Sequence, residues 1–432
     1  FWPGCAGDEQ KAEEHMAQAR EYIENNEMEK AVIELKNVVQ LDPENAEAYF
    51  ELGAAYLKLK KAREAFQSFS RAVDIDPENL EAQIKLGQMY LLSRQTKEAR
   101  EKAEFVLNRS PDNVSALSVL SGVYLQENNP DAARETLEKI LSLDPGNFNT
   151  HLSLARLHLI RKDFDKAESA YSRAIELDPS ARVPYIELSR LYGTKGEWDK
   201  AESQLKKLTQ SPDATYQDLS ILALFYENRE MWDLAESTYM EAVASAPKGD
   251  VAPLSNLAAY FARRGSYERA LENFRKASDQ KKDDLNILVS IAQLQFDFEK
   301  TDAAETTLDQ VLEKDKGHVG ANFLKGRLLL SKRDFSRAIE RFDTVLRERP
   351  GSARAHYFKA VCLIGKEERE LAEKELLRAV EIDPDLVPAR MILAEFYLGK
   401  RDRDLARQQI DEALKRAPND YRIHMLQGNL KI

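Results

Sequence analysis

The chain has 432 residues, 43% apolar and 32% charged, with 17 glycines, 15 prolines and a formal charge of −11. This hydrophobic content excludes wholesale disorder, and no apolar run approaches the ~20 residues of a membrane-spanning helix. Glycine and proline fall below their usual ~7% and ~5%, against a turn-rich all-β fold, and the acidic balance makes nucleic acid a poor partner.

Residues 1–11, Phe1-Trp-Pro-Gly-Cys-Ala-Gly-Asp and onward, read as a polar tail. From about residue 12 a period of 34 takes over. Proline stands at 43, 77, 111, 145 and 179, and after one slip each way at Pro212 and Pro247 the series resumes at Pro350, Pro384 and Pro418. Inside it runs a stricter ladder of twelve alanines, from Ala31, Ala65 and Ala99 to Ala338, Ala372 and Ala406. Twelve residues before each alanine is a small residue, such as Gly53, Gly87 or Gly326. Four after it is a bulky apolar one, such as Leu35, Phe69, Tyr171 or Phe342, with Ala103 the exception. Seven tyrosines, among them Tyr22, Tyr56, Tyr192 and Tyr397, share a third register.

Each period holds two segments of about 13 residues with apolar positions at i, i+3, i+4 and i+7, the signature of amphipathic helices. The small residue and the alanine let two helix backbones approach, and the large residue one turn on fills the space beyond the crossing. The proline ends the second helix, because the residue before it is disfavoured in the α region. Asn45, Asn79, Asn113 and Asn147 then stand where the next helix needs an N-cap. Pro130, Pro184, Pro253 and Pro388 fall in first helical turns, where a missing N–H does no harm.

The pattern resembles the tetratricopeptide repeat (TPR) over nearly the whole chain. Residues 49–77 match it fully, with Tyr49, Leu52, Gly53, Tyr56, Ala65, Phe69, Ala72 and Pro77. The resemblance implies an all-α, right-handed superhelical solenoid of helix-turn-helix repeats. Twelve repeats are expected over 12–420, with 421–432 the first helix of a truncated thirteenth. Repeats 8 and 9 (about 251–318) depart most, with Lys282 and Lys316 in place of proline, and the extra residue near 245–253 is where a bend is expected.

Catalysis finds no support. The motifs HExxH, GxSxG, the P-loop and GxGxxG are absent. His151 and His158 lie seven apart on one helix face, but they occupy packing positions that hold tyrosine in neighbouring repeats, as do His15 and His356. Cys5 and Cys362 are too few and too far apart for a disulfide framework or a thiolate metal site, and Cys362 reads as core filler. No metal, cofactor or catalytic residue is expected.

Binding is the better expectation. In the family the concave wall comes from the first helix of each pair, at its second, fifth, ninth and twelfth positions. At the fifth, Phe50, Ile84, Leu152, Ile186, Phe323, Tyr357 and Met391 would line a groove for protein or peptide segments, apolar in repeats 1–3 and 9–12. Burial between neighbouring helices is the competing reading of these residues. At the ninth position Arg156 and Arg190, from adjacent repeats, could meet a carboxylate. Arg327 stands alone there, and salt bridges within the array are the alternative use. No repeat carries the Lys and Asn with which chaperone-docking repeat domains clamp a C-terminal carboxylate.

The small residue Gly4 before Cys5 resembles the end of a bacterial lipoprotein signal peptide, although Trp2 and Pro3 depart from its usual residues. The resemblance implies acylation at Cys5, the only expected membrane contact, and without Asp after the cysteine it implies the outer membrane. Ala19-Arg-Glu-Tyr22 through 31–53 looks like repeat lipoproteins of exosortase and exopolysaccharide loci. Together these imply a non-enzymatic periplasmic scaffold for envelope export or exopolysaccharide secretion. A soluble cytoplasmic adaptor, and the repeat half of a larger enzyme such as a glycosyltransferase, remain open. The stop at Ile432, partway through a repeat, reads as a fragment's end.

Overall fold

The computed structural model describes residues 5–430, with side chains from Asp8 onward. The lipidation expected at the Cys5 side chain, and the ends 1–4 and 431–432, lie outside the described residues. Among the described residues the protein is all-α, with 25 helices and no strand. The helices fall into two compact units, Phe1–Asp213 and Ala214–Ile432.

Unit 1 holds six hairpins. The first three are α1 (Cys5–Glu24) with α2 (Met28–Leu41), α3 (Ala46–Lys58) with α4 (Ala62–Ile75), and α5 (Leu80–Leu92) with α6 (Thr96–Arg109). The next three are α7 (Val114–Gln126) with α8 (Pro130–Leu143), α9 (Phe148–Ile160) with α10 (Phe164–Leu177), and α11 (Arg182–Lys195) with α12 (Trp198–Thr209). Residues 5–11, read from the sequence as tail, are helical. Asp8 lies in the first turn of α1, where a negative charge suits the helix dipole.

Unit 2 holds six more hairpins. They begin with α13 (Tyr216–Asn228) and α14 (Trp232–Ser245), α15 (Ala252–Arg263) and α16 (Tyr267–Gln280), and α17 (Leu285–Asp297) and α18 (Thr301–Lys314). Then come α19 (Val319–Ser331) and α20 (Phe335–Glu348), α21 (Ala353–Gly365) and α22 (Arg369–Ile382), α23 (Val387–Gly399) and α24 (Arg403–Arg416), followed by α25 (Tyr421–Asn429). The extra residue is taken up between α14 and α15, where Gly249 has φ 88°.

Every hairpin closes on the alanine ladder. All twelve ladder alanines have no exposed surface, and the residue four positions on is buried in each case, including the exceptional Ala103. Burial of this kind is worth roughly 25 cal/mol per Å2 of apolar surface and is the main force holding each pair.

The turn inside each hairpin follows one design. Its tightest residue has φ between 56° and 77°, at Asn26, Lys60, Arg94, Asn128, Lys162, Gly196, Glu230, Gly265, Glu299, Arg333, Glu367 and Arg401. The next N–H reaches back five residues, as from Lys61 to the Tyr56 carbonyl at 2.9 Å and from Asp402 to Tyr397 at 2.8 Å. This is a Schellman closure of the first helix.

The turns between hairpins use side chains. Asn45, Asn79, Asn113 and Asn147 accept a bond from the backbone N–H three residues on, at 2.9–3.0 Å, as the sequence predicts. The preceding aspartates, such as Asp42, Asp144 and Asp178, accept from the N–H two residues on, which holds the turn in place. Asp315 does the same toward Gly317 beside Lys316, where proline is missing. The helix therefore ends there without proline.

One further register ties seven of the first helices to the loop before them. Gln83, His151, Tyr185, Asn322, His356, Arg390 and His424 each donate to the carbonyl six residues earlier, at 2.7–3.2 Å. Where Leu117 occupies that register, Lys139 from α8 reaches the Pro111 carbonyl instead, at 2.8 Å. His151 and His356 are thus backbone pins as well as packing residues. His356 also meets Glu375 at 2.5 Å, and His15 meets Glu34 at 2.6 Å, across their hairpins.

Candidate binding face

Several first helices of successive hairpins touch: α5 meets α7 in unit 1, and α13 meets α15, α17 meets α19, α19 meets α21, and α23 meets α25 in unit 2. The second helices make no comparable contact with one another. At these contacts the first helices line the tighter side of the stack.

The fifth-position residues divide into two groups there. Phe50, Ile186, Phe323, Tyr357 and Met391 are half-buried. Ile84 and Leu152 are only 8% exposed and belong to the core, a correction to their expected place on an open wall. The cause is visible at Ile84, which packs with Val106 of α6 and Ala116 of α7. The fifth position faces the seam between hairpins, and Ile84 ends inside it, whereas Ile186, the same residue type, stays half-buried, so the neighbouring hairpin sets the difference. Phe50 keeps one side against the buried Phe69, with ring centroids 5.7 Å apart.

Arg156 and Arg190 are both exposed and share the surroundings of Tyr171. Burial and the Glu187 carboxylate push the Tyr171 hydroxyl up from its ordinary pKa, against the two guanidiniums. The pair is only half available, because Arg190 donates to both Glu187 oxygens at 3.1 Å.

Arg327 is not isolated. Its guanidinium lies 5.3 Å from the Phe296 ring centroid and 5.8 Å from that of Phe358, and it donates to Gln293 at 3.4 Å. Phe358 packs edge-on to Phe323 at 5.5 Å and to Tyr357 at 5.1 Å, and stacks on the buried Phe342 at 5.8 Å. Arg354, one hairpin on, lies 5.6 Å over Phe323. Sequence reasoning missed Arg354 and Phe358 because it followed the fifth and ninth positions; Arg354 is at the second position of α21.

Other candidate groups have structural roles. Cys362 is buried, which pushes its thiol up to about 12 and keeps it from acting as a nucleophile at neutral pH. His158 is half-buried, 3.7 Å from Asp163. Among the described residues no group of three or more His, Cys, Asp or Glu is placed to hold a metal ion, and no helix is long and apolar enough to cross a membrane.

Residues 9–147 match the family model for the cytochrome c-type biogenesis protein H TPR domain. Residues 323–387 match one tetratricopeptide-repeat model, and residues 124–184 and 261–322 match another. The chain is a tetratricopeptide-repeat protein. No curated protein matches its sequence significantly. Among solved structures, yeast Tom70 is 15% identical with a TM-score of 0.52, over 98% of this chain and 96% of that one, a likeness of fold. A tetratricopeptide-repeat protein from Parabacteroides merdae is 19% identical with a TM-score of 0.47, over 58% and 99% of the two chains. MamA from Desulfovibrio magneticus is 25% identical with a TM-score of 0.35, over 40% and 99%. Repeat folds of this kind are typically protein-binding scaffolds rather than enzymes.

Proposed function

We propose that the protein is a non-enzymatic scaffold that holds protein segments along its first-helix face. It is anchored through an acylated Cys5 to the periplasmic side of the outer membrane and serves envelope export or exopolysaccharide secretion. The observation that carries the scaffold is the set of half-buried Phe50, Ile186, Phe323, Tyr357 and Met391 at the fifth position of first helices. Such apolar surface gains most when a partner covers it. The anchor is supported by the sequence around Gly4-Cys5, and the secretion role by the resemblance of residues 19–53.

Photocrosslinkers placed at Phe50 and Tyr357 in cells should capture a common partner that crosslinkers at Leu371 and Leu405, exposed on second helices, do not. Equal capture from all four sites rejects the face. Separately, Cys5 should take up a labelled fatty acid, and Cys5→Ala should release the protein from the membrane fraction. An unlabelled native protein rejects the tether and leaves the scaffold standing.

The match of residues 9–147 favours a second reading, a part in cytochrome c-type biogenesis. A deletion strain that loses haem-staining c-type cytochromes and keeps its exopolysaccharide would select it.

A further inference from the structure

Charge pairing in unit 2 is thorough around α19 and α21. Lys325 is 6% exposed and meets Glu305 at 2.8 Å and Asp309 at 2.9 Å. Lys332 meets Glu305 at 2.6 Å and Asp302 at 3.5 Å. Lys359 meets Glu375 at 2.7 Å and Asp343 at 2.8 Å. In a chain carrying a net −11, carboxylates are abundant. Arg327 and Arg354 nonetheless form no ion pair with a carboxylate among the described residues, and both lie over aromatic rings.

Those rings are themselves fixed. Phe323 and Phe358 pack against each other and both against Phe342, which has no exposed surface. A guanidinium held near an aromatic ring keeps N–H donors for a carboxylate, and Arg327 gives only one of its own to the neutral Gln293. Holding it there before binding reduces the side-chain entropy lost on binding. The exposed parts of Phe323 and Tyr357, which both pack against Phe358, offer apolar contact.

We propose that Arg327 and Arg354, on the Phe296, Phe323 and Phe358 rings, form the docking point for an acidic, aromatic-rich segment of a partner protein. Carboxylates of the segment meet the two guanidiniums, and a neighbouring aromatic side chain lies against the exposed ring surface. This rests on the scaffold reading above and gives its unit 2 face a partner chemistry. The charge complementarity selects the occupant, since two unpaired cations on an apolar face favour an acid flanked by apolar groups over a neutral segment.

The probes are fluorescein-labelled octapeptides alternating Asp and Phe, Asn and Phe, or Lys and Phe, titrated with the full chain by fluorescence anisotropy. The Asp peptide should bind at least tenfold more tightly than the Asn peptide, the Lys peptide more weakly still, and added salt should erode the difference. The double variant Arg327→Gln/Arg354→Gln should lose about tenfold in Asp-peptide affinity and nothing for the Asn peptide. Arg327→Lys/Arg354→Lys should recover part of that loss, and Arg347→Gln/Arg378→Gln, at exposed positions on the second helices α20 and α22, should leave both affinities unchanged. Helical content by circular dichroism confirms that each variant is folded.

Equal affinity of wild type for the Asp and Asn peptides overturns the proposal. So does unchanged Asp-peptide binding in the folded Arg327→Gln/Arg354→Gln variant, or an equal loss from the Arg347/Arg378 variant. A self-associated species in sedimentation that only the glutamine variant abolishes makes a second copy the occupant and also overturns it. Loss of the charge preference while Phe50 and Tyr357 still crosslink selectively rejects this inference alone. Equal capture from Leu371 and Leu405 rejects the face on which both readings rest.

Discussion

The Cα of Gly53 lies so close to the ring of Phe69 that a methyl group added to it would sit 2.7 Å from the ring edge. The ring has no exposed surface and is flanked by Phe50, so it has little room to withdraw. Gly326 stands in the same relation to Phe342, at 2.8 Å. In the next hairpin Ala103 replaces the aromatic, and a methyl group on Gly87 would meet Lys102 Cβ at 3.3 Å and Val119 at 3.4 Å, tight but not overlapping. Gly53→Ala should therefore cost about 1–3 kcal/mol through overpacking. Gly87→Ala should fall within about 0.5 kcal/mol of neutral, because alanine's helix propensity offsets the closer contact. Urea denaturation of the two variants checks this, and equal effects would refute the account. Gly53→Ala combined with Phe69→Leu should lose less than Gly53→Ala alone.

How much of this was legible depends on whether a position is set by the hairpin itself or by its neighbours. The alanine ladder, the asparagine caps and the first-turn prolines were all readable, because each answers a local need that recurs every period. The wall residues were not. Ile84 and Ile186 share a register and a residue type, yet one is in the core and the other half-buried, which depends on the neighbouring hairpins. Arg354 was missed because its partner ring, Phe323, belongs to the previous repeat. The loop pins at Gln83, Asn322 and Arg390 escaped because four or more residue types perform the same bond, so no single letter repeats.

The hairpin turns hid their conformation in another way. Left-handed backbone favours glycine, yet only Gly196 and Gly265 supply it, and ten turns hold Asn, Lys, Arg or Glu. A side chain there costs roughly 1 kcal/mol, against a smaller entropic cost for glycine. Arg94→Gly and Lys60→Gly should each stabilise unit 1 by up to about 1 kcal/mol. Gly196→Ala should destabilise it by about 1 kcal/mol, and there the backbone is the sole cause, since an added methyl meets nothing within 4 Å. Denaturant midpoints read both, and a stabilising Gly196→Ala would contradict the assignment.

The loop pins predict a graded response. Gln83 donates to the Pro77 carbonyl at 2.8 Å from a side chain that is 3% exposed. Gln83→Leu leaves that carbonyl without its partner and should cost about 1 kcal/mol, the usual net worth of such a bond. Lys139→Met should cost less, because Lys139 is exposed and water can replace it at Pro111. Amide hydrogen exchange in the loops 76–79 and 110–113 should rise in the matching variant and not in the other. Equal protection in both loops would remove the pins from the account of how hairpins are joined.

Acid should weaken the tie between α18 and α19. Hydrogen bonds from Lys325 and then Lys332 outweigh the burial of Glu305 and hold its carboxyl down at about 2, well below the ordinary carboxylate range. Because the folded value lies below the unfolded one, the stabilisation is fully present above about pH 4.5 and disappears as pH falls toward 2. Glu305→Gln should remove this part of the acid response, so that the variant and the wild type converge in stability on going from pH 6 to pH 2. The gap at pH 6 should be on the order of 1–2 kcal/mol after solvent screening, since the carboxylate is partly exposed. Lys325, nearly buried, keeps Asp309 as a partner in the variant, so its charge is not stranded. Thermal melts at the two pH values measure the convergence, and a gap that persists at pH 2 would show that Glu305 stabilises the hairpin by packing rather than by its charge.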